Sequence, residues 1–320
     1  MEKYIIGIDL GGTNIKAGLV KVEDGTIVDS FSIKTESEKG SSNTFDRIAN
    51  FVDDIIKKEK LTKKDILGLG MGIPGPVLNN EIVSFFANFP WEDNLNVAEE
   101  LKKRTGLEVK LDNDVNVITL GEAWTGAAQG YKNVLGIALG TGIGGGLVVN
   151  GHLFGGTSGG AGEIGHIKIE ENGKLCGCGQ KGCWEAYASA TGLEREATSR
   201  LRVNKNNLVW KKIEGDITKL EAKHIFDAAK EGDKFALELV DYETRYVALG
   251  LSTVLNVMNP EIVVIGGGVS LAGDILFDGI KEKIKENTLI PILNGLKDIV
   301  PAKLGNDAGI VGAAALILDK

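Results

Sequence analysis

The chain has 320 residues, 43% of them hydrophobic and 25% charged, which is enough apolar material for a globular protein with two cored lobes. Its 36 basic and 44 acidic side chains leave a formal net charge of −8, and such a surface repels nucleic-acid phosphates and anionic lipid headgroups. The apolar run of "MEKYIIGIDL" is broken at Asp9, too early for a signal peptide, and no stretch reaches about 18 uninterrupted apolar residues, so we expect a cytoplasmic protein with neither membrane nor nucleic acid as partner.

In chain order, "IIGIDLGGTNIKAGLV" (residues 5–20) reads as strand, glycine-rich turn, strand. Gly11 and Gly12 carry no bulk where the chain reverses, so backbone N–H groups can approach an anion there, and the Thr13 hydroxyl can donate to it. Residues 44–60 place Phe45, Ile48, Phe51, Val52, Ile55 and Ile56 at the three-and-four spacing of an amphipathic helix. "ILGLGMGIPGP" (66–76) reads as a buried strand stopped by Pro74 and Pro76. "LEVKLDNDVN" (107–116) is a strand running into a turn, and Asp114 stands where the N-cap of a following helix, "DVNVITLGEAWTGAAQG", is expected.

"VLGIALGTGIGGGLVV" (134–149) then repeats the order apolar-Gly-Ile-x-Leu-Gly of the first hairpin, which predicts a duplicated α/β unit with one copy in each lobe. Gly140, Thr141 and Gly142 offer the same anion chemistry as the first turn. Helices follow over 222–232, 233–257 and 274–287, and the strand "EIVVIGGG" (261–268) ends in a third glycine turn that includes Gly267 and Gly268. The pattern is α/β with mixed sheets, and we expect a first lobe of residues 1–119 plus 305–320 and a second of 120–304. Two matching turns predict a polyphosphate held between them; two ordinary hairpins are the competing reading, since glycine suits tight turns anyway. Neither a Walker A loop nor a dinucleotide fingerprint with its ribose-binding acid is present.

All three cysteines fall in "GEIGHIKIEENGKLCGCGQKGCWE" (162–185): Cys176, Cys178 and Cys183, with His166 ten positions ahead of the first. Three thiolates and one imidazole make a complete tetrahedral set for zinc and leave no place for a catalytic water, so the expected Zn2+ is structural. Reduced cysteines in a turn are the competing reading. Disulfides are disfavoured in a reducing compartment, and the C-x-x-C of a redox site is absent. Trp91, Trp124, Trp184 and Trp210 read as packing, and His152 and His224 as ordinary polar residues.

"GIDLGGTNIKAGLV", "GIPGP", "LDNDVN", "GTGIGGGLV", "GEIGHIKI" and "CGCGQKGCWE" together resemble the ROK family of bacterial sugar kinases, most closely its glucokinases, over nearly the whole chain. The resemblance implies the two-lobed fold of actin and hexokinase, ribonuclease-H-like lobes with ATP and a hexose in the cleft between them, and a homodimer. It implies transfer of the γ-phosphoryl group of ATP, with Mg2+, to the sugar's 6-hydroxyl. Asp114 resembles the family's catalytic base, a carboxylate that accepts the hydroxyl proton. Asn113, Glu163, His166 and Glu185 resemble its sugar ligands, with Asn88 of "FFANFPW" joining them, and carboxylates and amides suit a polyol because each makes paired directed hydrogen bonds. His166 would ligate zinc with one ring nitrogen and face the sugar with the other. Asp9 reads as a ligand to magnesium-bound water in preference to a buried salt-bridge partner, and Lys16 either reaches a phosphate or is solvated. Sister kinases acting on fructose, N-acetylglucosamine or N-acetylmannosamine are the alternatives, and the transcriptional repressors of the family fit poorly with the acidic charge.

Overall fold

The computed structural model describes residues 2–86 and 89–319. The first segment forms strands β1 (Tyr4–Leu10), β2 (Asn14–Lys21) and β3 (Ile27–Lys34), helix α1 (Ser41–Lys58) and strand β4 (Ile66–Ile73), which ends at the residue before Pro74. Short strands β5 (Val77–Leu78), β6 (Ile82–Val83) and β7 (Leu95–Asn96) make a small antiparallel sheet. Helix α2 (Val97–Thr105), strand β8 (Val109–Asn113) and helix α3 (Asp114–Trp124) follow. The second hairpin is β9 (Val134–Leu139) and β10 (Ile143–Val149), then β11 (His152–Leu153). Beyond the cysteine loop come α4 (Glu185–Ala188), α5 (Ala190–Leu201), α6 (Leu208–Lys212), α7 (Ala222–Lys230), α8 (Lys234–Met258), β12 (Ile262–Gly266), α9 (Asp274–Asn287), α10 (Ile290–Gly295), β13 (Asp298–Pro301) and α11 (Ala308–Leu318).

Two five-stranded sheets carry the duplication. The first runs β3-β2-β1-β4-β8 and the second β11-β10-β9-β12-β13, the same order of roles in each. In both, a hairpin-linked edge is antiparallel (β2 with β3, β10 with β11) and the far edge is parallel (β4 with β8, β12 with β13). Parallel pairs need crossover helices, which α2 and α9 supply ahead of β8 and β13.

The chain divides into two compact units: residues 1–136, 146–162 and 302–320 form one, and 137–145 with 163–301 form the other. This differs from the expected division at residue 119. The reason lies in α3, whose Gly121 packs backbone-close on Gly312 of α11, so the helix and the segment after it stay with the first unit. The boundaries at 136 and 145 fall inside β9 and β10.

In the first unit, β1 is buried on both faces, which explains its continuous apolar run. Ile6, Ile8 and Leu10 join Phe45, Ile48, Val52 and Ile55 of α1, while Ile5 packs with Ile310 and Ala314 of α11. The expected α1 stripe is buried except Phe51, which is only partly covered. Helix α3 is shorter than the expected run to residue 130 and ends at Trp124. Just before its end the buried Glu122 accepts the backbone N–H of Ala127 (2.7 Å), Lys303 (2.9 Å) and Leu304 (2.8 Å), which ties the approach to α11 to α3.

The second unit is organised on α8, whose Phe235, Leu239, Val247, Leu251 and Leu255 face its interior. Trp184, fully buried, lies on Gly250 of that helix, and its indole N–H donates to the Tyr246 carbonyl. Trp91 is also packing, stacked on Phe89 at 4.5 Å. His152 pairs with Asp319, and His224 caps α7 by accepting the Glu221 N–H.

Candidate functional site

The β1–β2 turn is held from below. Thr35, fully buried, donates its hydroxyl to the Gly11 carbonyl (2.6 Å) and its N–H to that of Thr13 (2.9 Å). Gly12 has no atom within 4 Å of where a Cβ would stand, so its lack of a side chain serves open space above the turn and not the fold. Asp9 and Lys16 are cross-strand partners in the β1–β2 ladder, and Gly309 of α11 lies against the Asp9 carboxyl. Burial raises the Asp9 pKa above the ordinary aspartate range, with Lys16 opposing.

At the β8–α3 junction the two aspartates of "LDND" part company. Asp112 is buried, accepts from Asn116 Nδ2 (2.7 Å) and Asn80 Nδ2 (3.1 Å), and is pushed up in pKa by that burial. The N-cap of α3 is Asn113, not Asp114: Asn113 Oδ1 accepts the N–H of Val115 (2.9 Å) and Asn116 (3.4 Å). Asp114 is the first helical residue, half-buried, with Oδ1 on the Val115 N–H. Asn113 is thus the N-cap, and Asp114, at the first helical position, shares the Val115 amide with it. Asn113 Nδ2 reaches the Gly75 carbonyl at 3.4 Å. Asn88 lies outside the described residues.

In the second unit the β9–β10 turn closes through Gly140 N–H on the Gly142 carbonyl (3.0 Å). Ala190, the first residue of α5, donates its N–H to the Gly140 carbonyl (2.8 Å), so the start of a twelve-residue helix abuts the turn. Gly267, at φ 89°, passes so close to the Leu139 carbonyl that a side chain cannot fit. Gly140, Thr141 and Gly268 line a cavity of about 420 Å³ whose wall includes Phe226, Ala222 and Val269, with Glu194 and Lys223 among its polar groups. Nothing in the sequence pattern pointed to Phe226, Ala222, Lys223 or Glu194, because they come from α5 and α7, helices whose helical period is legible but whose docking is not.

The cysteine loop folds back on itself. Ile169 donates to the Gly182 carbonyl (2.9 Å) and Trp184 to that of Ile167 (2.8 Å), and two further reversals use Gly179 and Gly182 at positive φ. The result gathers His166, Cys176, Cys178 and Cys183, whose ligand atoms all lie within 4.8 Å of one another. Cys178 Sγ and Cys183 Sγ are 3.7 Å apart, as are Cys176 Sγ and His166 Nδ1. Two sulfurs on one tetrahedral zinc at about 2.3 Å stand roughly 3.8 Å apart, so the donor set fits that metal. His166 points Nδ1 to the sulfurs and Nε2 towards Glu163, 3.9 Å from Oε2. Glu185 Oε1 accepts from Cys176 Sγ at 2.9 Å, and burial plus this bond push the Cys176 thiol up to about 12. The loop therefore brings Glu163, His166 and Glu185 together with the cysteines.

The ROK family profile matches residues 5–320. A glucokinase of Thermotoga maritima is 41% identical over 99% of this chain and 98% of its own, and a glucokinase of Halalkalibacterium halodurans is 39% identical over 99% and 95%. The solved structure of a ROK family glucokinase from Streptomyces griseus, in complex with glucose and AMPPNP, superposes with a TM-score of 0.76 at 34% identity and 98% coverage of each chain. With the profile spanning residues 5–320 and the fold superposing on that glucokinase over nearly its whole length, the chain belongs to the ROK family, with its actin- and hexokinase-like α/β fold.

Proposed function

We propose that this protein is an ATP-dependent glucokinase. The observation that supports the chemistry is the head of α3, where Asn113 is the N-cap and the half-buried carboxylate of Asp114 stands one residue further on, at the first helical position, with Oδ1 on the Val115 N–H. In the reaction, the sugar's 6-oxygen forms a bond to the γ-phosphorus, the bridging P–O bond to ADP breaks with its electron pair, and the hydroxyl proton passes to Asp114. Asn113 would bind a neighbouring hydroxyl, and Glu163, His166 Nε2 and Glu185 are the other side chains proposed to hydrogen-bond sugar hydroxyls.

The cavity beside Gly140, Thr141 and Gly268 suits an adenosine, since Phe226 and Val269 offer apolar wall, and the glycine turn and Ala190 at the start of α5 border it. Gly11, Gly12 and Thr13 form a turn of the same kind, open above Gly12 and suited to an anion. Magnesium, when bound, would neutralise phosphate charge, and Asp9, a carboxylate raised by burial beside Lys16, is the group that gains from a cation. Zinc would hold the loop that presents Glu163, His166 and Glu185.

A coupled assay of ADP release across glucose, fructose, mannose, N-acetylglucosamine and N-acetylmannosamine tests the reading. Glucose is expected to give the highest kcat/KM. A higher value with an acetamido sugar would transfer the assignment to a sister kinase, and no ADP release with any sugar would remove it.

A further inference from the structure

The sulfur cluster is electrically lopsided. Zinc with three thiolates and a neutral imidazole carries one net negative charge, and two carboxylates crowd it: Glu185 Oε1 is 2.9 Å from Cys176 Sγ and Glu163 Oε2 is 3.9 Å from His166 Nε2. An uncompensated excess of negative charge around the ligands weakens the site's hold on the metal. Among the described residues, the cation bonded to a sulfur of the cluster is Lys168, whose Nζ donates to Cys183 Sγ at 2.8 Å.

That contact is written into the strand register. Lys168 and Cys183 are opposite one another in an antiparallel bridge, flanked by the Trp184 N–H to Ile167 carbonyl and Ile169 N–H to Gly182 carbonyl bonds. Neither residue is bonded to the other through its backbone, so they form the close kind of antiparallel pair, in which the two side chains leave the same face at the shortest spacing. A slip of one residue would bring Ile167 or Ile169 to that place and turn the ammonium away. Cys183 is fully buried while Lys168 is an exposed residue whose ammonium reaches the buried sulfur.

We propose that Lys168 is the counter-ion of the zinc centre, a positioning residue that neutralises the tris-thiolate charge through Cys183 and thereby holds the metal and the sugar-binding loop built on it. The inference rests on the zinc reading above. It concerns metal retention and not the phosphoryl transfer, which Lys168 does not touch.

The experiment uses the full chain with Lys168→Met, Lys168→Gln and Lys168→Arg. Zinc content is measured by elemental analysis, zinc release by a colorimetric chelator in excess, and the thiolate-to-metal charge-transfer band by replacing zinc with Co(II). Loss of an outer-sphere partner of a metal ligand lowers metal affinity by about 10- to 100-fold. The Met and Gln variants should release zinc at least about tenfold faster than the parent and shift the Co(II) band, while Arg keeps both close to the parent. A parent with one zinc per chain and all three variants releasing it at the parental rate would overturn the counter-ion role while leaving the zinc reading intact. Fast release from the Arg variant as well would overturn it too, since the charge is retained there. A parent that holds no stoichiometric zinc would remove the zinc reading itself, and the proposal with it. Circular dichroism before release identifies a misfolded variant; should Met misfold, Gln, which keeps the polar end, is the one compared with Arg.

Discussion

Gly142 leaves the room that Glu185 fills: a Cβ on the glycine would stand 2.7 Å from Glu185 Oε2, and the other oxygen accepts from the Cys176 sulfur. The Ile143 N–H also reaches Glu185 Oε2 at 3.4 Å. The glycine turn assigned to phosphate thus shares a wall with a carboxylate assigned to the sugar. Gly140, two residues away, has no atom within 4 Å of its absent Cβ. Neither glycine has a positive φ, so alanine is compatible with the backbone at both.

The first prediction follows from that contrast. Gly142→Ala should displace Glu185 and raise the KM for glucose several-fold, whereas Gly140→Ala should raise the KM for ATP and leave glucose nearly unaltered. Steady-state kinetics with each substrate varied in turn distinguishes them, and identical effects of the two substitutions would refute the shared wall.

For the proposed base, Asp114→Asn preserves size and hydrogen bonding but cannot take a proton. Turnover should fall by roughly 10² to 10⁴ with a smaller change in glucose affinity. Thermal stability should hardly move, because the cap is Asn113. Conversely, Asn113→Ala removes the acceptor of the Val115 and Asn116 amides and should cost about 1 kcal/mol of stability in a denaturant titration. If Asp114→Asn retained turnover within about tenfold of the parent, Asp114 would not be the base.

Zinc loss should act on one substrate. Cys178→Ser, or a chelator added to the parent, loosens the loop that carries Glu163, His166 and Glu185, so glucose affinity should drop well before ATP affinity does. Titrations monitored by calorimetry separate the two. Equal losses for both ligands would point to unfolding of the unit.

A pH effect on stability comes from Glu243 of α8, fully buried, with neither carboxylate oxygen hydrogen-bonded among the described residues. Burial raises its pKa well above the glutamate range, and Lys174 opposes only in part. The folded state therefore keeps the proton where the unfolded chain, with a pKa of about 4.3, has lost it. Stability from this group is complete below that value and declines as pH rises towards the folded pKa. Glu243→Gln should flatten the fall in Tm as pH rises above about 4.3, the unfolded value. Parallel Tm–pH curves for parent and variant would show that Glu243 does not titrate in this way.

Much of this molecule is decided by local patterns that any reader of the chain can see. The stripe Phe45 to Ile56 makes α1 because a 3.6-residue period has one buried face, Pro74 ends β4 because it has no amide to give the ladder, and the duplicated Gly-Ile-x-Leu-Gly hairpins become β1–β2 and β9–β10. The cysteine spacing likewise predicts the cluster, since a loop this short and this rich in glycine has few ways to close. Other features depend on distant segments meeting. Asp114 and Asn113 are both good caps, and only the path of β8 into α3 makes Asn113 the N-cap and Asp114 the first helical residue. Phe226, Ala222 and Glu194 reach the Gly140 turn because α5 and α7 dock there. The division of the chain moved from 119 to the middle of β9 because Gly121 and Gly312 let α3 and α11 touch at the backbone. Periodicity records which face of an element avoids water; it does not record which partner covers that face, and that is a property of the assembled three-dimensional chain.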